Sequence, residues 1–324
     1  MRWGVWLSTE MSYADASQVL SEVGQIDISA SSLWRQVEDW GNRLLAQETQ
    51  ARDQANAMPG RGVPQRGETR HTQPMGVSVD GFMVYIRGEG WKEVKAGAIF
   101  RVVQQVGYDA QTREPLTRAV AKGCSYVAHL GGPEVFGEKL WREAVDRRVP
   151  GAYDKVWVSD AAAWIWNLCQ YYLPEAEQIV DWYHALEHLH QAANLLYGEG
   201  TEHAGQWARR MVTQLYQGQA VQLAHQLELS ATQLTGQRAD QLRAEATFFR
   251  NNHRRMRYME YRENGYPIGS GTIESACKQF QSRLKGPGMR WSRTGADRML
   301  ALRAQVLTGC FNQTWITLQN SPAS

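Results

Sequence analysis

Three acidic residues that lie far apart in the chain occupy positions from which a carboxylate could bind a metal ion. Asp80 and Asp160 each end a short apolar run typical of a β-strand, and each precedes a small residue. An aspartate at the carboxyl end of a central strand lies at the rim of the sheet, where ligands gather in α/β folds. Glu274 lies in the first turns of a predicted helix, after residues 269–271, whose small side chains permit close backbone approach.

Carboxylates that converge in this way suit Mg²⁺ or Mn²⁺, because these hard cations prefer oxygen ligands. Phosphoryl chemistry uses two such ions, roughly 3.5–4 Å apart, to hold the attacking and leaving oxygens. Taken singly, a strand-end aspartate is usually a turn former, and a first-turn glutamate usually complements the helix dipole. The three acids together, in the order strand, strand, helix, form a rarer pattern that predicts a site for two ions.

The elements that must position these acids indicate a mixed α/β fold with helices on the faces of the sheet. A strand that starts at residue 76 is predicted to reverse at Asp80-Gly81 and to resume at residues 83–86. The other strand signals fall at residues 91–103, 123–130, 155–160 and 177–181. Helices are predicted over residues 134–147 and 161–171, and a long helical stretch follows from about residue 183.

The N-terminal region predicts two helices with a tight connection, a helix-turn-helix candidate. Ser12 has the form of a helix cap, and Leu33, Val37, Trp40 and Leu44 form the apolar stripe of the second helix. Arg35 and Gln36 near its start would then enter a major groove. A plain helical hairpin that packs or dimerises is an equal alternative. Residues 52–74, rich in Gly, Pro and Arg, predict a basic flexible linker.

Composition narrows the class of protein. Hydrophobic residues make up 43% of the 324-residue chain and the formal net charge is +2, so affinity for nucleic acid must come from local basic surfaces. No apolar run is long enough to cross a bilayer, and the N-terminus does not form a signal peptide. The four cysteines are widely spaced, which favours free thiols over a disulfide framework or a zinc ribbon. A cytoplasmic protein that does not bind membranes is expected.

Several sequence blocks resemble those of the ISKra-type insertion-sequence transposases, in the order of that family, over residues 76 to about 305. The blocks are VSVDG (77–81), GEGWKEVK (88–95), SDAAAWIWN (159–167), DWYHALEHL (181–189), PIGSGTIESACK (267–278), RLK (283–285) and GMRWS (288–292). The resemblance implies an RNase H-like catalytic core with Asp80, Asp160 and Glu274 as a DDE triad. Asp181 and His184 are similar to the D(2)H signature of such groups, although a hydrogen bond that fixes the strand-to-helix turn is an equal explanation for this pair.

The implied activity is metal-dependent cleavage and strand transfer of DNA by a nucleoid-associated homo-oligomer. A metal-activated water would cut, and the freed 3′ hydroxyl would attack target DNA. The partners are double-stranded terminal inverted repeats and target DNA. Members of the family usually carry further sequence before the helix-turn-helix-like region, so an N-terminal truncation, an alternative start or a shortened relative is expected. The expected regions are a helical DNA-binding region (1–51), the linker (52–74), the first part of the core (75–182), a helical insertion (183–266), closing helices (267–319) and a frayed tail (320–324).

Basic residues in two clusters, together with the start of the second N-terminal helix, are predicted to contact phosphates or bases. The predicted DNA-binding residues are Arg35, Gln36, Arg250, Arg254, Arg255, Arg257, Lys278, Arg283, Lys285 and Arg290. For each cluster the alternative is a solvated helix face.

Two other functions compete with this one. A truncated or domesticated relative would bind DNA without transposing it. More remotely, His184, Glu187 and His188 fit the H-x-x-E-H pattern of zinc metallopeptidases, with Glu260 or Glu263 as a third ligand.

Overall fold

The computed structural model describes residues 1–57, 73–108, 113, 115–286 and 289–320. Within them the chain forms a mixed α/β structure around a five-stranded sheet of order β3-β2-β1-β4-β5. The strands are β1 (Met75–Ile86), β2 (Gly90–Tyr108), β3 (Pro115–Leu130), β4 (Lys155–Ser159) and β5 (Glu177–Val180). β1, β2 and β3 pair antiparallel, whereas β4 and β5 run parallel to β1. The predicted mixed α/β class is therefore confirmed.

The predicted reversal at Asp80-Gly81 is wrong, because β1 continues through both residues. Asp80 pairs with Ala96 and Gly81 with Lys95, in unbroken register with β2. The chain reverses instead between Ile86 and Gly90. Gly88 and Gly90 both have positive φ there, a conformation that glycine adopts without steric cost. Asp80 thus lies in the middle of a long strand rather than in a turn.

Helices cover both faces of the sheet. α4 (Pro133–Asp146) and α5 (Ala163–Tyr172) follow the predicted positions closely. α4 packs over Gly97, where an added Cβ would lie 2.8 Å from a methyl carbon of Leu140. α11 (Gly271–Leu284) covers the opposite face, where its Phe280 stacks on Phe82 of β1 with ring centroids 6.0 Å apart.

The predicted helical stretch forms a set of helices between β5 and α11. They are α6 (Trp182–Tyr197), α7 (Glu202–Tyr216), α8 (Ala220–Ala231), α9 (Gly236–Asn252), a short 3-10 helix (His253–Arg255) and α10 (Tyr258–Glu263). The chain closes with α12 (Arg293–Thr308) and α13 (Phe311–Asn320). Residues 321–324 of the predicted tail lie outside the described residues. None of the helices in the described part of the chain is both long and apolar enough to span a membrane.

The N-terminal region contains α1 (Arg2–Glu10), which the sequence did not predict, followed by α2 (Tyr13–Glu22) and α3 (Ala30–Ala57). Ser12 caps α2 as predicted, by accepting a hydrogen bond from the Asp15 amide. The connection between α2 and α3 spans residues 23–29, so it is longer than the predicted tight turn. α3 also continues beyond residue 51, and the predicted linker therefore begins in a helix; residues 58–72 lie outside the described residues.

These N-terminal helices pack against the closing helices through aromatic and charged contacts. The rings of Trp40 in α3 and Trp315 in α13 stack with centroids 3.6 Å apart. Arg298 of α12 bonds to Glu38 at 2.5 Å, and the buried Arg303 forms an ion pair with Glu10. Because stacked aromatic rings and buried ion pairs resist separation, the N-terminal helices share one core with the rest of the chain.

We expect Trp315→Ala to lower the free energy of unfolding by about 3–5 kcal/mol, because it removes a buried ring and leaves a cavity beside Trp40. Urea unfolding monitored by circular dichroism measures this. Ile316→Ala is the matched control, since this neighbouring side chain is 48% exposed and its loss should change stability by less than about 1 kcal/mol. Equal losses for the two variants would contradict the shared core.

Candidate carboxylate site

Asp80 and Asp160 lie at the same level on adjacent parallel strands. Met75–Val77 of β1 pairs with Lys155–Trp157 of β4. Two serine side chains extend the contact: Ser78 Oγ donates to the Val158 carbonyl at 2.5 Å, and Ser159 Oγ accepts from the Val79 amide at 2.9 Å. This register puts Asp80 level with Asp160, which directly follows β4, so the two aspartates lie side by side at the carboxyl end of β4 while β1 continues past them.

The Asp80 carboxylate carries the clearest electrostatic signature of the site. Partial burial raises the pKa of Asp80, and the negative charges of Asp160 and Glu274 raise it further. Its Oδ1 accepts a hydrogen bond from the Gly81 amide at 2.6 Å, which acts in the opposite direction. The charges of the other two predicted acids, Asp160 and Glu274, therefore both act on Asp80.

Asp160 lies in a second group of charges at the same rim. Burial raises its pKa, and the charges of Asp181 and Glu93 raise it further, while His184 opposes them. Its Oδ1 accepts a hydrogen bond from the Ala162 amide at 3.2 Å, at the start of α5. Burial is thus the main reason why the pKa values of both aspartates are raised, and neighbouring carboxylates add to it.

Asp181 is buried and holds three segments of the chain together. Its Oδ1 caps α6 by accepting from the His184 amide at 2.7 Å, and its Oδ2 accepts from the Ser270 amide just before α11. Its own amide donates to the Ser159 carbonyl at the end of β4 at 2.8 Å. Ser270 Oγ in turn bonds to Glu274 at 3.1 Å. Asp181 is therefore a positioning residue, as the hydrogen-bond explanation of the D(2)H pair predicts.

Two histidines of α6 connect this rim to the helical insertion. The rings of His184 and His188 meet edge to face with centroids 4.9 Å apart. His188 stacks on Phe248 of α9, and its Nδ1 lies 2.7 Å from the buried carboxylate of Glu245. These contacts fix the start of α6, and with it the His184 ring that faces Asp160.

The zinc-peptidase pattern gains no third ligand from this arrangement. The Glu187 side chain is 78% exposed and bonds only to His184 among the contacts of the described residues. Glu260 pairs with Arg257 at 2.8 Å, and Glu263 is exposed. Within residues 1–57, 73–108, 113, 115–286 and 289–320, no group of three His, Cys, Asp or Glu side chains is arranged closely enough to hold a metal ion. Asp80, Asp160 and Glu274 are included in this finding, so their side chains do not form a coordination shell as they stand.

Sequence reasoning missed two side chains at this rim. Glu93 of β2 lies beside Gly81 and raises the pKa of Asp160, while its carboxylate bonds to the buried Lys95 at 2.7 Å. Cys277 lies one turn after Glu274, and burial together with the charge of Asp80 raises its pKa. Glu93 and Cys277 fall inside two of the quoted blocks, so the signal was present in the sequence although no role was assigned to them.

Most of the first predicted basic cluster is used in internal contacts. Arg250 pairs with Glu228, and Arg257 pairs with Glu177 and Glu260. Arg255 bonds to Gln178 at 2.7 Å and lies over the ring of Trp166. Arginine stems pack well against apolar surface, which explains why a basic cluster in the sequence need not form a basic surface. Arg254 is exposed.

The second predicted basic cluster also contains both buried and exposed residues. Arg283 is buried, donates to the Ser8 carbonyl and lies over the rings of Tyr13 and Trp291, so its prediction as a DNA contact is wrong for this conformation. Three other predicted residues of α11 and the following segment are exposed: Lys278, Lys285 and Arg290. In α3, Arg35 is exposed, whereas the side-chain oxygen of Gln36 is buried beside α1.

Comparison with known proteins adds no family to this picture. No protein-family model matches the chain, and a search of curated proteins finds no significant match. The interpretation of the site therefore depends on its residues and their geometry.

We expect Asp181→Ala to lower the free energy of unfolding by about 2–4 kcal/mol, because it removes a helix cap and leaves the buried Ser270 amide without a partner. Thr201→Ala is the matched control: Thr201 caps α7 at the surface, and its loss should cost only about 1 kcal/mol. Chemical denaturation measures both. Equal losses of unfolding free energy in the two variants would show that Asp181 acts only as a helix cap.

Proposed function

We propose that the chain is a metal-dependent DNA-cleaving and strand-transferring enzyme of the DDE transposase type. The observation that carries this proposal is the register of β1 and β4, which puts Asp80 level with Asp160, together with the charge of Glu274 of α11, which also acts on Asp80 although the three residues are far apart in sequence. Buried carboxylates that repel one another are costly unless a cation neutralises them. The sequence blocks that resemble ISKra-type transposases contain the same three acids.

The topology of the sheet supports an RNase H-like core. Three antiparallel strands followed by two parallel strands, in the order β3-β2-β1-β4-β5, are compatible with that fold. In such a core the first acid lies on the central strand and the second follows the neighbouring parallel strand. β1 and β4, with Asp80 and Asp160, satisfy both conditions.

The carboxylates fit hard divalent cations in donor chemistry and in uncompensated charge. Asp80, Asp160 and Glu274 would hold Mg²⁺ or Mn²⁺, for which their side chains would have to move together. Two such ions lower the pKa of an attacking water or hydroxyl and neutralise charge on the leaving oxygen. Asp181 keeps Glu274 in place through Ser270, and His184 faces Asp160 from α6.

Exposed cations along α11 would bind the phosphates that flank the site. Lys278 follows Glu274 by one helical turn, and Lys285 follows two turns later, so the three lie on one stripe of the helix. Neither lysine has an ion-pair partner within the described part of the chain. Their contribution to affinity should therefore be independent of sequence and sensitive to salt.

Metal binding can be tested through stability. The raised pKa values of Asp80 and Asp160 mean that their ionised forms destabilise the fold above the ordinary value of 3.8. Asp80→Asn and Asp160→Asn should therefore stabilise the metal-free protein at neutral pH, with the gain shrinking as both carboxyls protonate toward about pH 4. Mg²⁺ or Mn²⁺ should stabilise the wild type, by about 2.7 kcal/mol at about 100 times the Kd, and both variants much less.

Thermal unfolding with and without metal measures these effects. Asp240→Asn is the control, because this carboxylate of α9 is 76% exposed and pairs only with Arg243 at 2.8 Å among the described residues. A metal-induced shift that is the same in wild type, Asp80→Asn and Asp160→Asn would place metal binding elsewhere and contradict the proposed site.

Catalysis can be tested by nicking of supercoiled plasmid DNA with Mg²⁺ or Mn²⁺. Asp160→Asn and Glu274→Gln should each reduce the nicking rate by at least about 10³-fold, because each removes a ligand from the metal site. Asp240→Asn should retain the wild-type rate. Wild-type protein that binds DNA but does not nick it under any of these conditions would instead favour the alternative of a DNA-binding relative without transposition activity.

A further inference from the structure

The tip of the β1–β2 hairpin carries two exposed aromatic side chains. Tyr85 and Trp91 are directly paired across the hairpin and are 40% and 59% exposed. Their rings meet edge to face with centroids 5.7 Å apart. Large exposed rings that stand together on one surface mark a binding site more often than isolated ones do.

Basic side chains from the segment after α11 complete a groove beside these rings. A cavity of about 370 Å³ is lined by Tyr85, Trp91, Leu284, Lys285, Gly286, Met289 and Arg290. Lys285 Nζ lies 5.8 Å from the centre of the Trp91 ring. Met289 and Arg290 also line a neighbouring cavity of about 300 Å³ that contains the exposed Arg87 and Trp34. We call the cavity around Tyr85 and Trp91 the aromatic groove.

The charge of the aromatic groove selects an anionic ligand. Arg87, Lys285 and Arg290 are exposed and form no ion pair with any carboxylate in the described parts of the chain. Glu89, at the hairpin turn, is paired with Arg293 at 2.6 Å. Lys285 and Arg290, which line the groove, and Arg87 in the neighbouring cavity are therefore available to phosphates, while the two rings offer π-faces to bases.

Strand β1 and helix α11 both run from the carboxylate site toward the aromatic groove, and each covers about the same distance. From Asp80 to Tyr85 β1 advances five residues, or about 17 Å. From Glu274 to Lys285 α11 advances eleven residues, or about 16 Å. The contact of Phe82 with Phe280 shows that these elements run side by side between the two sites. For DNA that keeps duplex stacking between the two sites, with a rise of about 3.4 Å per nucleotide, the separation equals about five nucleotides.

We propose that the aromatic groove binds unpaired DNA bases about five nucleotides from the phosphate at the carboxylate site. The distance rests on the proposed function, whereas the affinity for single strands does not. In a blunt duplex the base faces are covered by stacking, so the rings can stack only on bases that are unpaired. Lys285 would leave the Trp91 ring and bind a phosphate as a base takes its place.

Fluorescence anisotropy in EDTA tests this without any need for cleavage. The probes are an oligothymidylate of about 15 nucleotides and a blunt duplex of the same length. Trp91→Ala should weaken binding to the single strand by at least about fivefold and leave duplex affinity within about twofold, since stacking of one base is lost. Trp91→Phe should recover most of the single-strand affinity. Lys285→Ala should weaken both complexes, because phosphates are common to both.

Matched controls separate stacking from general effects. Tyr153→Ala removes a tyrosine that is 83% exposed and remote from the groove in sequence, and Lys122→Ala removes an exposed lysine of β3. Neither should change single-strand affinity. Unchanged single-strand binding by Trp91→Ala would overturn the proposal, as would an altered oligomeric state with normal DNA affinity, which would make the groove a protein interface.

The outcomes also separate this inference from the proposed function. Wild-type nicking with normal single-strand binding by Trp91→Ala would refute the groove alone. Selective loss of single-strand binding in a protein that never nicks would support the groove and refute the enzyme.

Discussion

The central constraint on this structure is that several carboxylates, which repel one another, are held close together at one end of the sheet. Asp80 and Asp160 are partly buried, and each has further carboxylates as neighbours. Backbone pairing alone would fix the register of the two strands only weakly, because β1 and β4 pair directly over only three residues. The hydrogen bonds of Ser78 and Ser159 across the two strands fix the register just before the acids. A one-residue slip would turn one carboxylate to the opposite face of the sheet.

The same rim explains how a large insertion can interrupt the core without disturbing it. The insertion leaves the sheet at Trp182 and returns at Ile268, and the amide of the first bonds to the carbonyl of the second at 2.8 Å. Both ends are therefore fixed at one point. The free-energy cost of closing a loop grows only slowly with its length, so the helices between these ends can vary in size at little cost to the core. Asp181, which bonds to both sides of this junction, keeps Glu274 beside the aspartates.

Sequence patterns predicted the elements that carry strong local signals. The buried runs of β4 and β5, the helices α4 and α5 and the apolar stripe of α3 all lie where periodicity placed them. Asp80-Gly81 misled because the dipeptide is typical of a turn, whereas pairing with β2 on a continuous sheet overrides that preference. α1 was missed because its buried face consists of Gly4, Val5, Ser8 and Thr9, which form no apolar stripe in the sequence. Asp160 follows a strand and Glu274 lies in the first turn of a helix, as the sequence predicted, whereas Asp80 lies inside β1 rather than at its end. The contacts of Glu93 and Cys277 depend on cross-strand and helical neighbours that spacing does not reveal.

Charge shows most clearly why a linear sequence is a poor guide to a binding surface. Residues 250–257 contain the densest run of arginines, yet ion pairs and packing on Trp166 use most of it to fix the insertion to β5. Arg283 likewise makes an internal contact, because its guanidinium donates to the Ser8 carbonyl of α1 and holds the N-terminal helices in place. The cations left exposed are fewer and more widely spaced, but Lys278 and Lys285 share one stripe of α11 with Glu274. A chain of nearly neutral net charge can therefore present a local row of exposed lysines that begins beside a group of carboxylates.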